Sequence, residues 1–275
     1  MSTITISRQL GSFGTDIARE VAEKLNYDYV DKEKIGQIVA NFGFGMLEVD
    51  KFDEKKPPFW DSLSLQRTHF LHALQMAIYD FARKGKMVIV GRGGQVLLRN
   101  LPGVLHVRIF APFDLRVKRL LWSKRADEKY TVRMLRQIDH DSSGYIQSIF
   151  HADWNDASLY DLLINTENLS QTTAVQLIID SVHSKEIQEG VEKGKEKLAE
   201  LVLVQKAEAK LIPLLGPDRH HVEARVEKGV LVLVGAVTSD RLKAECERAV
   251  AALEGVGHVE NQLSVAPYHY SGYNI

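Results

Sequence analysis

ITISRQLGSFGTDIAREVAEKL, residues 4–25, alternates apolar and polar positions through ITIS, turns at two glycines, and then repeats apolar residues at helical spacing. A strand that ends in a glycine-bearing turn and opens a helix aims backbone N–H groups and the positive helix end at one point, where an anion is favoured. The standard nucleotide loop, G-x-x-x-x-G-K-[ST], adds a lysine for the terminal phosphates. That lysine is missing here: Gly14 stands in its place, and Arg8 occupies the position of the first glycine. Taken alone, two glycines ahead of a helix fit a plain tight turn equally well, so the rest of the chain has to decide.

Outward from this stretch, the first 183 residues alternate short β-rich runs with longer helical patterns. Strands are expected at Thr3 to Ser7, Tyr27 to Val30, Met87 to Val90, Val104 to Phe110 and Tyr160 to Ile164. Helical spacing covers Thr15 to Leu25, Leu63 to Lys84, Phe113 to Lys124, Val132 to Ile149 and Thr172 to His183. Such alternation predicts an α/β fold, a parallel five-stranded sheet with helices on both faces. FGFGMLEVDKFDEKKPPFWDSLS, with its charge run and Pro57-Pro58 break, reads either as a substrate-binding arm or lid or as a plain surface insertion.

The pattern changes after residue 183. Residues 184–198 form a charged segment rich in helix formers with two glycines, expected as a helical linker. Residues 199–267 then give a helix, two alternating strands joined by Glu227-Lys228-Gly229, a second helix and a closing strand, an α+β module about as small as folds alone. In that hairpin Val230, Val232 and Val234 fill one sheet face. Residues 268–275 form a tail.

Composition narrows the function classes. The 275 residues are 45% hydrophobic, enough for a sizeable core, and 35 Lys+Arg against 36 Asp+Glu give a net charge of -1. No global field draws the chain onto nucleic acid or an anionic membrane, so any anion site is local. The single cysteine, Cys246, excludes an internal disulfide framework and a cysteine-cluster metal site. No apolar run reaches the roughly 18 residues of a membrane span, and the first residues lack a secretion-signal pattern, so the expected location is the cytoplasm.

Ser7, Arg8, Gly11, Ser12, Gly14, Ile17 and Ala18 resemble the S-R-x-x-G-S-x-G-x-x-I-A opening of the cytidylate kinase-like family of P-loop nucleoside monophosphate kinases, which lacks the lysine. Three further segments extend the resemblance to about residue 183: NYDYVDKEKI, the Gly91-Arg92-Gly93 turn with the strand after it, and Y-D-L-x-x-N-T at residues 160–166. The resemblance implies a P-loop kinase-type sheet and ATP with Mg2+ as cofactors. Gly11, Ser12, Phe13, Gly14, Thr15 and Asp16 would hold the donor. Arg8, Arg92, Arg125 and Arg133 would be the catalytic cations, and Asp31, Lys32 and Arg92 would bind the acceptor. Arg8 is the substitute for the missing lysine on position and chemistry. Phe13 departs from the glycine usual in this loop, and Ser142 stands where the D-x-x-R lid signature beginning at Asp139 places an arginine. Asp161 reads as a capping or turn residue.

Residues 222–265 resemble the BON domain through Gly229, Gly235, Val237, Gly255, Val256, Val259, Asn261 and Leu263. That resemblance implies a lipid or small-molecule ligand, and the module reads as regulatory or as an assembly surface, including for a homo-oligomer. His220 and His221 read as exposed loop residues and Cys246 as core packing. The leading expectation is ATP-dependent phosphoryl transfer to a nucleoside monophosphate. The alternatives are a nucleotide-binding sensor without useful turnover, signalling through the BON module, and an assembly protein.

Overall fold

In the computed structural model, which describes residues 2–41, 64–124, 127–215 and 222–266, five parallel strands form the sheet of the first unit. They are β1 (Thr3–Arg8), β2 (Asp28–Val30), β3 (Met87–Val90), β4 (Val104–Phe110) and β5 (Leu162–Asn165), in the order β2-β3-β1-β4-β5. The central strand, β1, is the one that opens the quoted stretch, with Ile6 opposite Val90 on one side and Val107 on the other. Its C-terminal end therefore lies at the middle of the sheet, beside the ends of β3 and β4. The strand-ends of open parallel sheets are where such folds place ligands.

Ile4 and Ile6 point to the face covered by α1 (Gly14–Leu25) and α7 (Gln171–Val182), where Ile17, Val21, Val175 and Ile178 complete a fully buried cluster. The alternate residues Thr3, Thr5 and Ser7 are polar, yet all three are buried. Among the described residues the α-helices between α1 and α7 are α2 (Lys32–Asn41), α3 (Ser64–Lys84), α4 (Gly94–Leu97), α5 (Phe113–Lys124) and α6 (Glu128–Phe150). Two hydroxyls of this second face are paired: Thr5 Oγ1 bonds His106 Nδ1 at 2.7 Å, and Ser7 Oγ accepts from Trp154 Nε1 at 2.7 Å.

His106 is 7% exposed, and burial lowers its pKa from the ordinary 6.5, partly opposed by the Asp161 carboxylate. The unfolded chain therefore binds more protons here than the folded one once the pH drops below about 6.5. Stability that His106 contributes above that pH is lost as the pH falls through the lowered folded value. The expected result is a melting temperature that declines between pH 7.5 and 5.5 less steeply in His106→Asn than in the parent, read by thermal denaturation at stepped pH.

Helix α8 (Lys185–Leu215) absorbs the segment expected as a charged linker. Its two glycines serve close packing. A Cβ at residue 194 would overlap the carbonyl oxygen of Pro102, and one at residue 190 would stand 2.6 Å from the Gly103 nitrogen. Val191, one residue on, is buried.

The chain divides into two compact units, residues 1–196 and 197–275. In the second, β6 (Val222–Glu227), β7 (Val230–Val237) and β8 (Val259–Val265) make a sheet in that order, antiparallel then parallel. Lys228 and Gly229, with φ of 50° and 82°, form the two-residue turn of the hairpin. Leu231, Leu233 and Val237 enter the core with Ala207, Leu211, Cys246 and Val250. Val230, Val232 and Val234 thus fill the opposite sheet face, since side chains alternate along a strand. Asn261 ties β8 to helix α9 (Asp240–Ala251), donating to Lys243 O at 3.1 Å and to Glu247 Oε2 at 3.0 Å. Cys246 is fully buried, and burial raises its thiol pKa, which keeps it an unreactive core residue. Among the described residues no helix is long and apolar enough to cross a membrane.

Candidate functional site

The loop between β1 and α1 is held by its carbonyls. Gln9 O accepts from Ser12 Oγ at 2.7 Å, Leu10 O from Arg116 at 3.2 Å, Gly11 O from Arg119 at 3.2 Å and Ser12 O from Thr166 Oγ1 at 3.1 Å. Four successive carbonyl oxygens are thereby bound to side chains. A loop that cradles an anion needs this arrangement, because a free carbonyl oxygen facing a phosphate repels it. Gly11, with φ of 80°, supplies the left-handed step, and its Cα approaches the backbone of Arg116 so closely that a Cβ would sit 3.2 Å from Arg116 O.

Helix α1 starts at Gly14 with Phe13 as its N-cap, and no side chain caps it. The first N–H groups of a helix have no intrahelical acceptor, so this end is open to an anion. A Cβ at residue 14 would overlap Arg8 Cβ and stand 3.0 Å from its Cγ. Glycine at the lysine position therefore lets the Arg8 side chain run along the start of the helix. Thr15 is half-buried and Asp16 exposed on the first turn. Ser12 is fully buried, its hydroxyl spent on Gln9 O and Ile109 O and its N–H on Gln9 O, so its side chain braces the loop.

Phe13, a concern for bulk, takes φ of 62° and packs its ring against the α1 and α7 core, beneath the Arg119 guanidinium at 4.2 Å. The ring is absent from the lining of the adjoining cleft. Arg8 and Arg92 both line that cleft, as does Ser142. Arg92 is buried and sits between two glycines, all three residues having positive φ, which turns the chain sharply at the end of β3. Its aromatic wall, Trp154, is fixed by Ser7 and by the buried Arg108, whose guanidinium lies 4.2 Å from the Trp154 ring and donates to the Trp154 carbonyl and to Asn155 Oδ1.

The other described residues expected at the site are not in this cleft's lining. Asp31 Oδ1 accepts from the N–H groups of Glu33 and Lys34 at 3.1 and 3.2 Å, capping α2, and neither Asp31 nor the exposed Lys32 lines the cleft. Arg133 is exposed on α6, outside the cleft lining. Arg125 and the 43–62 insertion lie outside the described residues, as do His220 and His221. Asp161 Oδ2 accepts the His106 N–H at 2.7 Å, closing β5 onto β4, in keeping with a structural role. Among the described residues no group of three His, Cys, Asp or Glu side chains is placed to hold a metal.

The bracing residues Arg116, Arg119 and Thr166 carry the loop, although nothing in the sequence around the first two marks them for it. Arg116 is buried and makes a two-point pair with Asp139, at 3.1 and 2.7 Å. Arg119 also donates to Thr166 Oγ1 at 3.0 Å. The signal that identifies them is Asp139 together with the threonine of Y-D-L-x-x-N-T, readable only once the sheet order brings these segments to the loop.

Residues 3–168 match the cytidylate kinase-like family and residues 203–267 match the BON domain. The cytidylate kinase of Pyrobaculum islandicum is 26% identical over 186 residues, spanning 66% of this chain and 93% of that protein. That of Archaeoglobus fulgidus is 28% identical over 191 residues, spanning 67% of this chain and 96% of that protein. The crystal structure of an uncharacterized protein from Eubacterium ventriosum is similar at a TM-score of 0.54 and 23% identity, covering 67% of this chain and all of that one. That likeness shows the fold.

Proposed function

Since the chain belongs to the cytidylate kinase-like family and carries a C-terminal BON domain, we propose that it catalyses ATP-dependent phosphoryl transfer to a nucleoside monophosphate of the cytidylate type. The observation that carries this reading is the cleft beside the phosphate loop: Arg8 and Arg92 line it together, with no carboxylate among its described lining residues. A hydroxyl acceptor has to lose a proton as it attacks and is served by a positioned carboxylate. A phosphate monoester arrives ionised and needs cations instead.

In this reading the open N-terminus of α1 and the Gly11 to Gly14 loop bind the donor phosphates, with Arg8 alongside in place of a lysine. ATP with Mg2+ supplies the phosphoryl group and part of the neutralising charge when bound. Arg92 holds the acceptor phosphate, and the pinned carbonyls keep the loop from closing on itself. Rate then comes from position and charge neutralisation.

The test is ADP release by the full chain with CMP, UMP, AMP, GMP and a sugar alcohol. Turnover is expected with CMP and absent with the alcohol; turnover with the alcohol alone overturns the reading. In Arg8→Ala the rise in melting temperature caused by ATP is expected to shrink, reflecting about tenfold weaker binding. An Arg8→Ala protein stabilised by ATP as much as the parent removes Arg8 as the lysine substitute.

One observation favours the second reading, a nucleotide sensor acting through the BON domain. Arg116 and Arg119 are committed to the loop, and Ser142 rather than an arginine faces the cleft. An arginine on the transferring group is worth a factor of about a thousand or more in rate. ATP-dependent stabilisation without turnover on any monophosphate selects the sensor. A cytoplasmic location, a lipid or small-molecule ligand for the BON domain and self-association through it belong to the same proposal.

A further inference from the structure

The Gln95 side-chain amide nitrogen, in the cleft, is used neither by the fold nor by the loop bracing. Gln95 follows Arg92 by three residues, on the short helix α4, and is 2% exposed. It lines the cleft, yet its side-chain nitrogen is buried without a hydrogen-bond partner. A buried amide N–H with no acceptor weakens the free protein, and an apolar side chain of the same length would pack there without that cost. A donor kept unpaired in a cleft points to an acceptor that arrives with a ligand.

The surroundings identify that acceptor. Arg8 and Arg92 line the cleft with it, and the described lining contains no carboxylate. The Trp154 N–H is already given to Ser7 at 2.7 Å, so the indole does not serve a ligand as donor. An amide N–H in a cleft that two arginines also line complements an anionic oxygen without adding a third charge that would retain the product. We propose that Gln95 is a further binding residue of the acceptor site, its Nε2 donating to a phosphate oxygen of the acceptor while Arg92 supplies the charge. This rests on the phosphate-acceptor reading above.

Calorimetric titration of the full chain with CMP, ribose 5-phosphate and cytidine tests it. In Gln95→Met the affinities for CMP and ribose 5-phosphate are expected to fall alike, by about tenfold, with cytidine unaffected. The ligand-free variant is expected to melt about 2–4 °C higher than the parent, because the unpaired amide is gone. Gln95→Glu, which keeps the shape and sets a carboxylate beside the phosphate, is expected to abolish binding of both phosphates. Undiminished affinity in Gln95→Met overturns the assignment. So does a loss confined to CMP, which would move Gln95 to the base. A parent protein that binds neither phosphate removes the acceptor reading itself and this proposal with it, a result distinct from the other two.

Discussion

Arg116→Met is expected to lower the melting temperature of the first unit by about 5–15 °C, the equivalent of roughly 2–4 kcal/mol. The Arg116 side chain is 3% exposed and that of Asp139 25%, so removal of the cation strands a largely buried carboxylate. It also leaves the carbonyls of Leu10 and Ala111 without the guanidinium that now satisfies them at 3.2 and 3.1 Å. Breaking a fully buried pair costs about 3–5 kcal/mol, and the partial exposure of Asp139 reduces that figure. The loop between β1 and α1 loses one of its four carbonyl anchors, so under the proposed function ATP-dependent stabilisation should fall along with the melting temperature. Arg116→Met/Asp139→Leu is expected to recover part of the stability, because both charges are then gone, but not the nucleotide response. Equal melting temperatures for parent and Arg116→Met would falsify the bracing role.

Gly194→Ala is expected to destabilise by about 2–3 kcal/mol, although alanine is the better helix former by about 1 kcal/mol. The sign is the informative part. In a flexible linker the substitution would stabilise. In α8 the new methyl group has to displace the Pro102 carbonyl, at the turn that leads into β4. Lys193→Ala, one residue away on the exposed side of the helix, is expected within about 0.5 kcal/mol of the parent. Chemical denaturation of the three proteins side by side measures both effects. A stabilised Gly194→Ala would return this segment to a linker.

Local order is what the residue pattern carries well. Glycine turns, period-two runs and period-3.6 runs are short-range features, so β1, its loop and α1 are readable in ITISRQLGSFGTDIAREVAEKL, and the hairpin of the second unit in VEKGV. Glycine is ambiguous beyond that, because the lack of a side chain serves both loose and very close packing. Gly190 and Gly194 look like loosening residues and are contact residues. β1 shows a similar ambiguity: a polar alternation marks a water-facing side, yet here Thr5 and Ser7 are buried against His106 and Trp154.

The candidate site divides along the same line. Arg8, Gly11, Gly14 and Arg92 sit at turns whose backbone shape is set by adjacent residues, so the sequence marks those turns. The fates of Arg116, Arg119, Asp31, Trp154 and Gln95 were not legible, since each depends on a partner or a cleft wall supplied from elsewhere. Thr166 reaches Ser12 across 154 residues, and Trp154 reaches Ser7 across 147. Such meetings follow from the order in which strands join the sheet. A parallel sheet and a lysine-free glycine loop ahead of α1 were therefore written in the chain itself. Which arginines brace that loop and which face the cleft was decided only when β4 and β5 closed beside β1, because a charge has no role until the fold gives it a partner.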